Sequence, residues 1–576
     1  MNKITIKSNG NKKFNGKLNS IAKQQPNRKL LGIFRLYLGI YNLYSHKADS
    51  KIKDKLGEAP VIYDSTLNQP SLDLMTRFLN NKGYYENTVS VEILPHKKRK
   101  SLAESKKVKM VFTINKGERY LISRFDKEIT DLTIKQIIES SNTNQNLKIY
   151  DPFDLDKLKE ERIRVERLLK NFGYYKFSRE YVVFEADTSQ RTKSAALKMV
   201  IKNPTINYYN TDSLIEGKHQ TYTINSVQVR INGNQTTELL HKGDTSMVDS
   251  MLFINLKEKE FNKKAISRIT YIRPGQLFSL KNQEETYRNL SSLKLFSNVS
   301  IQYEPDFYAN DNGLIATIDL KPRKQKSLTI ETEGTNNGGN LGVNGTVNFQ
   351  NNNTFKGAEI LNISFNGGLE AQTILTGEDE KKILGGFLPF NTLEFGPEIN
   401  LEIPRFLLPV NADRFSPRGN PRTTFNASYN LQERPDYRRD VTKTYIAYSW
   451  NESANKTHVI QPFDLSYIKL DPSNTFSAAL ENIENPFLRN SYTDNLILAS
   501  KYSFIYNSKN SNRLKNYIFF RGNIESAGNL LSLFTKEKGQ SINEDSTIDK
   551  FAEIAGIRFA QYIRADIDFR YYQIST

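Results

Sequence analysis

One local pattern is spelled twice in this chain, and it constrains the first half more than any other feature. Phe78 to Ile93 reads FLNNKGYYENTVSVEI, and Leu168 to Val183 reads LLKNFGYYKFSREYVV. Each runs from an apolar pair through a polar dipeptide and one variable residue to Gly-Tyr-Tyr, then into a β-prone tail. Upstream of Gly83, Leu72, Met75 (or Leu74) and Phe78/Leu79 fall at helical spacing. Gly83 stands where such a helix would end, because glycine takes the left-handed C-cap conformation without a Cβ penalty. Beyond it, Val89, Val91 and Ile93 alternate with Ser90 and Glu92, the pattern of a half-buried strand. Val108–Asn115 then reads as a second strand, Lys116–Glu118 as a turn, and Tyr120–Phe125 as the start of another strand.

The second copy behaves alike. Leu155, Leu158, Ile163, Leu168 and Leu169 recur against a charged face, which predicts a helix over Asp154–Leu169. Gly173 ends it, and strands follow at Tyr181–Glu185 and Ala196–Ile201. A weaker third copy spans Gln283–Glu304, where Tyr287, Leu290 and Leu293 lead into LFSNVSIQY and then Leu314–Leu320; Leu295-Phe296 replaces the Gly-Tyr-Tyr. Each copy is strand, helix, helix, strand, strand. Recurrence at this length indicates an array of small α+β modules rather than one large enzyme domain.

The chain has 576 residues, too many for one ordinary core. Cysteine is absent, which excludes disulfides, thiol catalysis and Cys-ligated zinc, and the five His show no ligand spacing. No cofactor or metal site is expected. The net charge of +18 admits nucleic acid as a partner, but no RNP aromatics, zinc finger or recognition helix accompanies it, so none is expected. The densest basic run, His96–Lys107, reads as a solvated loop; anionic lipid is an equally physical outlet for the charge.

No secretory-signal pattern is visible, and Asn2–Ser8 alternates like a strand. No apolar run is long enough for a spanning helix. Arg28–Tyr44 (RKLLGIFRLYLGIYNLY) comes closest; it reads first as an amphipathic helix packed on its own domain, and second as an interfacial membrane helix.

Beyond Pro322 the grammar changes. Glycine and asparagine become dense, as in Gly334–Gly345, and segments of about ten residues alternate. In the last one, Ile563, Ala565, Ile567, Phe569 and Tyr571 share one face, and Arg564, Asp566, Asp568 and Arg570 the other. Leu361, Ile363 and Phe365 oppose Asn362 and Ser364; Ile399, Leu401 and Ile403 oppose Glu398, Asn400 and Glu402. Apolar outside with polar inside is the pattern of a membrane barrel, because lipid offers backbone amides no partners and strands must satisfy one another. About ten such segments run from Ser327 to Tyr572, with long polar connectors expected at Gln432–Asp440 and Ser532–Ile548.

These modules resemble POTRA (polypeptide-transport-associated) domains. The string Gly275-Gln276-Leu277-Phe278, a helix, and Leu295–Val299 are similar to the last module before a barrel in the BamA/TamA outer-membrane assembly superfamily. Gln25-Pro26-Asn27-Arg28-Lys29 and Gly57–Ser65 (GEAPVIYDS) resemble an insertion in TamA-like members. The implied fold class is α+β POTRA repeats (β-α-α-β-β) followed by an antiparallel transmembrane β-barrel, here incomplete. The domains are placed at 1–116 (with the amphipathic insertion), 117–203, 204–322 and 323–576. The family has sixteen strands, an Arg-Gly-aromatic loop and an aromatic terminal residue, so the resemblance implies a chain truncated at both ends, without its signal peptide or lipid anchor.

The resemblance also implies a function: assembly or translocation of outer-membrane proteins, with modules in the periplasm accepting partner or client strands by β-augmentation. The strand edges it points to are Val89, Val91 and Ile93, then Tyr181 and Val183, then Val299 and Ile301. The first barrel strand, with Thr329, Glu331 and Thr332, would form one side of a lateral gate. Implied partners are outer-membrane lipid, nascent outer-membrane proteins and a periplasmic partner, either TamB-like or assembly lipoproteins. Two other readings stay open: a two-partner-secretion-type polypeptide transporter, against which three modules and no plug helix argue, and a soluble β-sandwich binding protein. No enzyme is expected, since Gly-x-Ser-x-Gly, P-loop and His-Glu-x-x-His motifs are all missing.

Overall fold

The computed structural model describes residues 3–9, 12–30, 34–46, 51–95, 107–141, 145–188, 193–207, 214–231, 245–254, 261–306, 312–372, 390–407, 417–482, 492–509, 516–533, 540–542, 548–550, 553–554 and 557–573. The chain divides into two compact units, Met1–Thr221 and Tyr222–Gln573. Most of His96–Lys107 lies outside the described residues.

The first unit holds two modules. Module 1 begins with β1 (Lys3–Ser8) and α1 (Asn15–Ile21). An insertion follows with α2 (Leu36–Leu43) and α3 (Lys51–Leu56), and then come α4 (Asn68–Asn81), β2 (Thr88–Pro95) and β3 (Val108–Asn115). The sheet order is β1-β3-β2, with β3 parallel to β1 and antiparallel to β2. Its core joins Ile4, Leu18, Met75, Leu79, Met110, Phe112 and Ile114, so two helices cover one sheet face. Gln24 and Asn27 fasten the insertion's return: Asn27 Nδ2 donates to the Ala59 carbonyl (2.7 Å), its Oδ1 accepts from Val61 N (3.1 Å), and Gln24 Oε1 accepts from Asp64 N (3.2 Å). α2 itself buries no residue and forms over only part of the Arg28–Tyr44 run.

Module 2 comprises β4 (Leu121–Glu128), α5 (Leu132–Ser140), α6 (Leu155–Asn171), β5 (Val182–Asp187) and β6 (Ser194–Ile201), in sheet order β4-β6-β5. Its α6 faces the core with Leu158, Val165 and Leu169, whereas Ile163 is exposed. Glu161 takes a core position instead, because Arg164 pairs with it (2.6 Å) and Asn146 N donates to it (3.0 Å). Tyr181 closes a 3-10 turn (Arg179–Tyr181) rather than opening the strand.

The second unit begins with module 3: β9 (Thr223–Ile231), a hairpin of β10 (Thr245–Val248) and β11 (Met251–Ile254), α7 (Lys263–Arg268), α8 (Leu280–Ser292), β12 (Phe296–Pro305) and β13 (Gly313–Pro322). A short hairpin, β7 (Thr205–Asn207) and β8 (Leu214–Glu216), precedes it in the first unit. The sheet order is β10-β11-β9-β13-β12. On α8 the buried residues are Thr286, Asn289 and Leu290, and Tyr287, expected inside, is exposed. The first-to-last-to-penultimate strand order is thus the same in all three modules.

A single ten-stranded antiparallel meander follows, not two packed layers. It runs through β14 (Lys326–Asn337), β15 (Asn340–Asn351), β16 (Ile360–Glu370), β17 (Thr392–Ile403), β18 (Arg422–Glu433), β19 (Tyr437–Ser453), β20 (Lys456–Pro472), β21 (Asn495–Asn507), β22 (Tyr517–Ala527) and a terminal strand, Tyr562–Tyr572. β14 and the terminal strand are its two edges, so the sheet is open. Gly338 and Gly339, both at positive φ, make the two-residue β14–β15 turn. Between β18 and β19 only residues 434–436 intervene, so Gln432–Asp440 is a tight turn and not a long connector. The strand ends at Glu370, Pro472 and Ala527, each followed by twenty or more residues before the next strand of the sheet, lie at the end of the sheet away from the β13–β14 entry. At the entry end, the turn Pro417–Gly419 returns to module 3. Arg418 pairs there with Glu285 (3.4 Å) and lies over the Tyr271 ring (5.1 Å), while Arg422 donates to the Ser292 carbonyl (3.2 Å).

Candidate functional site

Each module leaves the same strand at a sheet edge: β2, β5 and β12, always the one after the second helix. The central strand is flanked on both sides, and the helices cover one face, so among the described residues the outward-facing main-chain donors and acceptors of this strand have no strand partner. Val89 and Val91 turn their side chains to the module 1 core, Ser90 and Glu92 are exposed, and Ile93 is 40% exposed. Val183 is half-buried on β5; Tyr181 lies outside the strand, its ring against Phe177 (5.7 Å) and His219 (4.7 Å). Val299 is buried and Ile301 half-buried on β12.

The repeated Gly-Tyr-Tyr does two jobs. Gly83 sits at φ 84°, one residue past the C-cap of α4, and Gly173 at φ 97° occupies the same place after α6. Tyr84 lies edge-on to Phe14 (6.4 Å) at its own core, whereas Tyr85 reaches into module 2, against Tyr120 (5.2 Å) and Phe153 (6.2 Å). Gly83 admits that contact: a Cβ there would stand 2.3 Å from the Phe153 carbonyl oxygen. At the corresponding helix exit of module 3 there is no glycine, and Lys294, one residue past the C-cap of α8, takes the left-handed conformation, φ 59°.

Charge reinforces the junction. Lys82 pairs with Asp154 (3.0 Å) and Asp156 (2.8 Å), and Arg119 donates to the Lys82 carbonyl (2.7 Å) and meets Asp154 at 3.4 Å. Burial works against the Lys82 ammonium, but Asp156 and Asp154 together outweigh it and hold its pKa above the lysine range. Modules 1 and 2 thus meet through a packed, ion-paired joint.

The open sheet sorts its residues by face. Thr329, Glu331, Thr346, Asn348, Gln350, Asn362, Ser364, Asn366, Glu398 and Asn400 line a trough on the inner face. Leu328, Ile330, Phe365 and Ile399 on the opposite face are exposed. Further along, Lys501 pairs with Asp464 (2.7 Å) and Glu525 (3.5 Å), and Arg564 with Glu525 (2.6 Å). Of the gate residues, Thr329 and Glu331 face the trough, whereas Thr332 pairs with Gly345 on the other face. Among the described residues no His, Asp and Glu cluster could hold a metal ion.

No family model matches the chain. A stretch of 115 residues, 19% of this chain and 14% of its relative, is 31% identical to the protein TOC75, chloroplastic, of Pisum sativum. Among solved structures, the chain is similar to BamA from Haemophilus ducreyi lacking POTRA domains 1-3 (TM-score 0.36, 12% identical, covering 71% of this chain and 66% of that one). It is also similar to CdiB from Acinetobacter baumannii (TM-score 0.35, 12% identical, covering 81% and 71%). The chain itself combines three small α+β modules with a ten-stranded antiparallel sheet.

Proposed function

We propose that this protein is a non-enzymatic factor for assembly or translocation of outer-membrane proteins, with its POTRA modules in the periplasm and its barrel strands in the outer membrane. The observation that carries this reading is the threefold recurrence of one free strand, β2, β5 and β12, in the same topological place. An unpaired edge binds an extended chain through main-chain hydrogen bonds, which demand little of the client's side chains and so suit a varied clientele. Nascent outer-membrane proteins are the proposed clients, and a TamB-like protein or assembly lipoproteins the proposed periplasmic partner. Kinship to TamA-like members in particular rests on Gln25–Lys29 and Gly57–Ser65. Apolar residues outward and amides and charges inward suit a barrel wall in lipid, and β14, at the sheet edge with Thr329, Glu331 and Thr332, is the proposed side of a lateral gate.

Because the chain has no cysteine, single cysteines report without background. Ser90→Cys and Glu92→Cys on β2 are expected to give disulfide adducts with a cysteine-bearing nascent barrel protein, and Thr329→Cys likewise at the gate. Adducts only at exposed sites away from the edges, such as Leu132→Cys, would refute edge capture.

A further inference from the structure

We propose that the described part of the module 1 insertion, residues 28–30, 34–46 and 53–56, is a docking surface for an anionic lipid bilayer. α2 buries nothing, and Leu36 (48% exposed) and Leu43 (73%) lie seven residues apart, on one helical face. Phe34 (63%) and Leu30 (42%) extend that apolar surface, held together by an antiparallel bridge with Leu30 N donating to the Phe34 carbonyl (2.6 Å). Leu56, at the end of α3, adds another exposed apolar side chain (55%). The inner side of α2 is anchored: Glu58 N donates to the Tyr37 carbonyl (3.0 Å), and the Lys53 ammonium lies 6.0 Å from the Tyr41 ring centroid. The helix is therefore held against α3 and the insertion's return, with its apolar stripe exposed.

Charge identifies the occupant. The first 48 residues contain ten Lys and Arg and no Asp or Glu, so more than half of the net charge of +18 sits in less than a tenth of the chain. Arg28, Lys29 and Arg35 precede the apolar stripe, and Lys51, Lys53 and Lys55 follow it on α3. Tyr37, Tyr41 and Tyr44 are half-buried between the two zones, the place such rings take where lipid headgroups meet acyl chains. A short helix with an apolar face and a cationic rim binds by inserting that face while the cations meet lipid phosphates. A peptide or protein groove would need a shaped pocket with directional polar groups, whereas a bilayer needs only this pattern.

The test uses the full chain held in nanodiscs of phosphatidylcholine, mixed with large vesicles of either phosphatidylcholine or phosphatidylcholine plus phosphatidylglycerol, and scored by co-flotation. Binding to the anionic vesicles only is expected. Leu36→Glu with Leu43→Glu should abolish it. Arg28→Glu, Lys29→Glu and Arg35→Glu together should weaken it on the order of 100-fold or more, since each lysine or arginine near such a surface contributes about a fivefold factor. All these side chains lie outside the module 1 core, and an unchanged thermal transition verifies the fold of each variant. Equal binding to neutral vesicles, no binding at all, or full binding by the folded Leu36→Glu/Leu43→Glu variant would overturn the proposal.

Discussion

Lys82, the C-cap residue of α4, places its ammonium 3.0 Å from the carboxylate of Asp154, the N-cap residue of α6. The end of one module's helix is thereby tied to the start of the next module's helix. Asp154 has three duties: it accepts from Asp156 N (3.0 Å), pairs with Lys82 and meets Arg119. An N-cap carboxylate satisfies a helix donor that would otherwise go unpaired.

Replacing Asp154 separates these duties. Asp154→Ala removes cap and charge and is expected to cost about 2 kcal/mol, roughly half from the cap and half from a partly exposed ion pair. Asp154→Asn keeps a good cap and loses only the charge, so it should cost about half as much. Hydrogen exchange at the Asp156 amide should accelerate in the alanine variant alone. Spin-label distances across modules 1 and 2 should broaden in both.

The left-handed positions after the helices give an opposed pair of substitutions. Gly83→Ala meets a positive φ and the Phe153 carbonyl oxygen, and should destabilise by on the order of 3 kcal/mol. Lys294→Gly relieves a lysine held at φ 59° and should stabilise by about 0.5 kcal/mol, the gain being trimmed by a more flexible unfolded chain. Thermal unfolding followed by circular dichroism checks both, and a stabilised Gly83→Ala would contradict the account of the junction.

His219 makes the first unit sensitive to acid. Its ring lies against Phe177 (4.8 Å) and Tyr181 (4.7 Å), and its Nε2–H donates to the Lys202 carbonyl (2.9 Å). Burial is the largest influence and lowers its pKa below 6.5, against smaller opposing effects of the Lys202 carbonyl and Asp131. The unfolded chain therefore binds a proton more readily, so the contribution of neutral His219 is complete above pH 6.5 and fades as pH falls through the lowered value. Unfolding of the first unit, monitored between about pH 8 and pH 5, should show a loss that His219→Gln removes.

Much of this fold is legible because it rests on local rules. Glycine at 83 and 173 stops a helix wherever it is placed, the Val89–Ile93 alternation makes a strand, and the face pattern of Ile563–Tyr571 separates an apolar side from a charged one. The third module's helix exit is less legible because Lys294 does a glycine's work, and only its backbone angle reveals this.

Where local pattern failed, long-range partners had decided. Glu161 displaces Ile163 from the core because Arg164 and Asn146 N neutralise its burial cost, and no periodicity encodes that exchange. Tyr85 looks like a second aromatic for its own module, yet its contacts, Tyr120 and Phe153, come from the next one. The sequence by itself determined the modules, their order and the two faces of the barrel strands, since each follows from residues a few positions apart. Sheet order, which local pattern does not encode, puts β2, β5 and β12 at the edges to which the resemblance pointed, and only the tertiary structure joins modules 1 and 2 through packed rings and ion pairs. Which strand becomes an edge depends on sheet order, and a joint depends on Lys82 meeting Asp154 across 72 residues of chain.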